Sequence, residues 1–215
     1  MAAGLLCASL LAPANGLISP EAQNVVRGLP LSNSNPRGKQ LATLQSYLLK
    51  DPVTVGVAPG ESNEPWKKQA IANGISVWAD AIPDSPFVLA KDGEKPMIVV
   101  RFVRGIGASG DVQGQVEATR YLRWGSNTVS YRIEATLQVK MTTGQRNLQD
   151  DEVTEVIAHE LGHVLGLDDN PECVGLMGPF VPDHARPAPS REEIRAVMQY
   201  RDQLRDAIAK ASNSR

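Results

Sequence analysis

Cysteine is scarce: Cys7 and Cys173 are the only two in 215 residues. So distant a pair makes neither a disulfide framework nor a thiolate-rich zinc finger, so any metal must be held mainly by histidine and carboxylate. Aromatic residues supply only 5% of the chain, and neither sign of charge dominates, with 22 basic residues against 24 acidic. Without a basic excess or a run of like charges there is no electrostatic footprint for a phosphate backbone, which excludes nucleic acid as the expected partner. No stretch reaches the roughly 18–20 uninterrupted apolar residues of a membrane helix. Pro13 and Asn15 cut short the only candidate, at the amino end. Histidine is rare too, with three in the chain, two of them close together. What remains, 42% hydrophobic and 21% charged with a net charge of −2, describes one catalytic-size globular domain with a sizeable core.

Residues 1–14 are Ala/Leu-rich and end in Ala12-Pro13-Ala14, which fits a secretory leader cleaved before Asn15, although a basic amino-terminal region is missing. Cys7 would leave with it. Residues 15–50 turn to Pro, Gly, Ser and Asn and are expected to be linker or pro-segment, with a short amphipathic piece carrying Leu41, Leu44 and Leu48. The main domain is expected over residues 51–211. Within it, residues 53–57 alternate like a strand, and Ile71, Ile75, Trp78 and Ile82 form a core-facing helical stripe that stops before Pro83. A second strand is expected over 97–103, then a Gly-rich loop over 105–114 that lacks the ending of a phosphate cradle. Residues 115–124 and 128–139 form a hairpin around Gly125-Ser126-Asn127, the second run alternating Tyr131, Ile133, Ala135, Leu137 and Val139 with polar residues. One face of it should be buried and the other wet. A helix starts after Asp150, and another opens at Ser190, where Glu193 completes a capping box and Ile194, Val197, Met198, Leu204 and Ile208 form the apolar stripe.

The chemistry lies in residues 156–169, VIAHELGHVLGLDD. On a helix, His159 and His163 stand one turn apart and only about 40° around the axis, so both imidazoles can face one ion. Glu160 sits beside them, where its carboxylate reaches a water at the metal without binding the metal itself. With three His and twelve Glu available, a His-Glu-x-x-His run arises in roughly 0.002 of shuffled chains, so chance is a poor account of it. Two histidines do not complete a zinc site. Gly166 can adopt the left-handed conformation that ends a helix, letting the chain turn back and bring Asp169 to the ion. Asp168 competes by one residue of register. A distant Glu192 or Glu193 on the last helix is the other rival.

The run His159-Glu160-x-x-His163-x-x-Gly166-x-x-Asp169 resembles the metzincin zinc signature, and Gly175-Leu176-Met177-Gly178-Pro179 resembles the Met-turn that follows it. The short spacing to Met177 is similar to that of the matrixin branch, whereas Asp at 169 in place of His is similar to the snapalysin-like branch. The resemblance implies an α+β fold: a twisted mixed β-sheet, two long helices, and a small C-terminal subdomain with the Met-turn and the last helix. It implies one catalytic zinc ion held by His159, His163 and Asp169, with Met177 packed beneath as a floor. The Gly-rich loop has no histidines for a structural zinc, and Asp111 alone is thin ground for a structural calcium ion. Asn35-Pro36-Arg37-Gly38 lacks the cysteine of a latency switch.

The function implied is a secreted zinc endopeptidase, monomeric, acting on polypeptides with Glu160 as general base. An extended substrate is expected along an edge strand at 129–139, with residues 180–186 walling a side-chain pocket. Cys173 is expected as a lone thiol and His184 as a rim or surface residue. The alternative is a zinc-binding peptide-recognition module or inactive homologue, which Glu160 argues against, since a structural site needs no base. A Ser or Cys nucleophile lacks a histidine to serve it.

Overall fold

The computed structural model describes residues 16–28, 36–61, 64–107, 112–124, 129–172 and 174–213. The expected leader at 1–14 with Cys7, the expected turn at 125–127, Asn35, Asp111 and Cys173 lie outside them. The protein is mixed α and β. Its strands are β1 (Val53–Val57), β2 (Phe87–Leu89), β3 (Ile98–Val103), β4 (Gly114–Trp124), β5 (Val129–Lys140) and the short β6 (Thr142–Thr143) and β7 (Arg146–Asn147). The helices are α1 (Pro20–Arg27), α2 (Pro36–Leu48), α3 (Pro65–Ala81), α4 (Asp150–Val164) and α5 (Arg191–Asn213).

The main sheet has the order β2-β1-β3-β5-β4. Four strands run parallel and β4 returns antiparallel along β5, from Gly114 opposite Val139 to Trp124 opposite Val129. This corrects the expectation for 129–139. That strand lies inside the sheet between β3 and β4, and the edge on its side of the sheet belongs to β4. Alternation reports which face of a strand is buried and carries no information about whether its sides are paired, so β5 imitated an edge strand. Ile133, Leu137 and Val139 are buried as expected, while Glu134, Thr136 and Gln138 opposite them are half-buried rather than wet.

Over 16–28 and 36–50 the chain folds into helices where a linker was expected. Ser19 caps α1 by accepting the Ala22 amide, and Ala22, Val25 and Leu44 bury their side chains in the core. Helix α2 packs on β4, β5 and α5. Composition signalled a loop because the Pro and Gly residues cluster at helix starts and stops, where they are favourable, as with Pro20 at the start of α1 and Gly28 (φ 67°) at its end.

Helix α3 presents Ile71, Ile75 and Trp78 inward, and Trp78 donates its indole N–H to the Ala158 carbonyl of α4 at 2.7 Å. Gly74 lets the two helices approach so closely that a Cβ there would collide with Ile157. Most of α4 is buried, so the face that carries His159 and His163 is held rigid. On α5, Val197 and Leu204 are buried as expected, but Met198 faces solvent. No helix among the described residues is long and apolar enough to cross a membrane.

Candidate metal centre

Three acidic residues, Asp150, Asp151 and Glu152, open α4 and suit the positive end of its dipole. The helix stops where Gly166 takes φ 99°. The Leu167 amide donates to the Gly162 carbonyl at 3.1 Å and the Gly166 amide to the His163 carbonyl at 3.0 Å, the paired bonds of a Schellman turn. A side chain at 166 is excluded twice, by the left-handed backbone and by Tyr200, whose ring would lie 2.9 Å from a Cβ.

The turn brings the chain back under the two histidines. Nε2 of His159 lies 3.1 Å from Oδ1 of Asp169, and Nε2 of His163 lies 3.5 Å from the same oxygen. The imidazole rings stand edge to face, 4.8 Å apart. Each donates through Nδ1 to a carbonyl, His159 to Leu176 at 2.8 Å and His163 to Leu167 at 3.0 Å. Those bonds hold the rings so that both Nε2 atoms point to one place. Asp168 turns away: its Oδ1 accepts the Asp169 amide at 3.1 Å, and its own amide donates to the Leu17 carbonyl.

Glu160 is buried, and one ligand atom from each of His159, Glu160 and His163 lies within 4.8 Å of the others. Glu160 stands against the start of β4, where Gly114 and Val116 line the same cleft. The space it fills exists because residue 114 is glycine, where a Cβ would collide with it.

The electrostatics favour positive charge at the point of convergence. Burial pushes the His163 imidazole down, but the Asp169 carboxylate and the Glu160 charge outweigh this and carry it up to about 9. His159 is raised by the same balance. Hydrogen bonds from His159 and His163 hold the Asp169 carboxyl well below the usual carboxylate range, whereas burial raises that of Glu160. Two imidazole nitrogens and a carboxylate oxygen, aimed together and competing for a cation, are the donor set of an open three-ligand zinc site, so these residues fit the ion.

Met177 is buried beneath α4, its sulfur against Gly162. Its turn is pinned from α5, where the Glu193 carboxylate accepts the amides of Leu176 at 3.1 Å and Met177 at 2.8 Å and also closes the capping box with Ser190. Glu193 was legible as a cap; its hold on the Met-turn left no local signal. Glu192 and Glu193 stay out of the donor cluster.

The centre opens into a cleft of about 820 Å³ bounded by Val112, Gly114 and Val116 on the β4 side and by Pro179, Phe180 and Pro182 opposite. Two buried carboxylates of α4 hold that second wall: Glu152 accepts the Asp183 amide and Glu155 the Arg186 amide. His184 is exposed, its Nδ1 against the Pro182 carbonyl. No family model matches the chain, and neither does any curated protein.

Proposed function

We propose that this protein is a zinc-dependent endopeptidase of the metzincin type, with the aspartate ligand of the snapalysin-like branch. The observation that carries the reading is the convergence of both Nε2 atoms on one Asp169 oxygen, with Nδ1 of each ring engaged by a carbonyl. His159, His163 and Asp169 would hold the ion. When bound, the ion supplies Lewis acidity, polarising the scissile carbonyl and activating a water near neutral pH. Glu160 takes the proton from the attacking water and returns it to the leaving amine. Its burial and the space left by Gly114 keep that carboxylate beside the histidines while leaving it outside the Asp169 contacts. The edge of β4 offers main-chain groups to an extended peptide, and Phe180 and Pro182 shape a pocket for one of its side chains. The mixed sheet, the buried α4 and the Met-turn braced by the last helix support the metzincin architecture. Export through the leader at 1–14 belongs to the same proposal.

The test is zinc content together with hydrolysis of an unstructured protein, wild type against Glu160→Gln. Zinc stays bound and hydrolysis falls at least about 100-fold in the variant. Undiminished hydrolysis removes Glu160 from the chemistry, and loss of zinc makes it a ligand. Wild-type protein that binds zinc and peptides without cutting them is a recognition module instead.

A further inference from the structure

The loop that presents Asp169 is built partly from the other end of the chain. Ile18 bridges Leu167 in antiparallel fashion. The Ser19 amide donates to the Gly166 carbonyl and the Asp168 amide to the Leu17 carbonyl, both at 2.9 Å. The segment is itself anchored, since Gln23 donates to the Ile18 carbonyl at 2.7 Å and Ala22 is fully buried against Gly166. We infer that residues 17–22 are a positioning strap for the metal centre, setting the backbone from which Asp169 reaches the ion; this rests on the zinc reading above.

The reason is that Asp169 is held by its contacts with His159 and His163 and by its own backbone rather than by packing. Its side chain is 70% exposed, so packing does not orient it. Its direction comes from the backbone on either side, held at 170 by the bond from the Asn170 amide to the Met177 carbonyl and at 168 by Leu17. The strap also reaches His163, because the bridged residue Leu167 supplies the carbonyl that orients that ring. Partners of this kind affect metal affinity by about 10–100-fold.

Ser19 allows a clean test. Its backbone, φ −55° and ψ 146°, already suits proline, so Ser19→Pro deletes the amide donor without changing φ, and the ring carbon that replaces the hydrogen also pushes the Gly166 carbonyl away. Ser19→Ala loses the hydroxyl cap but keeps the amide, and is the control. Zinc affinity is measured by chelator competition, the ligand geometry by the visible spectrum of the cobalt-loaded protein, and stability by melting the zinc-free forms. Ser19→Pro binds zinc about 10-fold more weakly than Ser19→Ala. It also shifts the cobalt spectrum, and its zinc-free form melts cooperatively a few degrees lower, as the loss of one amide bond requires. Equal affinities and spectra overturn the strap, as does an affinity loss with an unshifted cobalt spectrum, which reduces the segment to ordinary packing. Wild-type protein that takes up no zinc overturns the underlying metal reading, and that failure is seen before any variant is compared.

Discussion

Glu193 and Met177 are joined by a 2.8 Å hydrogen bond from the Met177 amide to the Glu193 carboxylate, across 16 residues of sequence. The same carboxylate takes the amides of Leu176 and Ser190, so one side chain on α5 serves three donors. Leu176 in turn accepts from His159, which links the last helix to a ligand. Glu193→Ala leaves those amides without their acceptor and costs about 3 kcal/mol of stability. Zinc affinity falls about 10-fold or more because the Leu176 carbonyl is no longer fixed. Thermal unfolding and chelator competition measure the two effects. A variant that melts lower yet binds zinc as tightly as wild type separates Glu193 from the metal centre.

The register of the third ligand is tested by exchanging neighbours. Asp169 faces both imidazoles and Asp168 faces its own chain, so Asp169→Ala strips zinc while Asp168→Ala retains it. Asp169→His restores binding, because imidazole is a compatible donor. Metal stoichiometry after dialysis decides the point; zinc lost from Asp168→Ala but kept by Asp169→Ala reverses the assignment.

Gly166→Ala places a side chain at φ 99° and against Tyr200. Left-handed strain and the collision together cost about 2–4 kcal/mol, and the turn that carries Asp169 shifts with them. Unfolding in denaturant reads the first effect and zinc affinity the second. A stable, fully loaded alanine variant removes the glycine from the argument.

Acid stability depends on Glu152. Its carboxylate receives Arg146 through two bonds of 2.6 and 2.7 Å and also accepts the amides of Gln149 and Asp183. Hydrogen bonds from Arg146 hold its carboxyl down to about 2, below the ordinary 4.5. The folded value is the lower one, so the stabilisation is complete above the unfolded value and is lost as pH falls through about 2. Glu152→Gln therefore melts several degrees lower than wild type at neutral pH, and the gap closes on acidification. Melting curves between neutral pH and pH 2 test this; a gap that stays constant assigns the loss to packing.

Local patterns carried much of this molecule. The spacing of Ile71, Ile75 and Trp78 marked the core face of α3, the His159–His163 spacing placed two imidazoles on one face of a helix, and Gly166 marked its end, because helical period and left-handed backbone are properties of neighbouring residues. The spacing from Gly166 favoured Asp169 over Asp168, and the fold adds the bonds that Leu17 and Met177 make on either side of them, which turn the Asp169 carboxylate toward the histidines. Tertiary structure alone decided that β4 and not β5 is the edge strand beside the cleft, that α1 and α2 join the core, and that Glu193 braces the turn at Met177. Strand partners and hydrogen bonds between distant segments depend on which surfaces meet when the chain collapses, and no periodicity within a strand or helix records that choice.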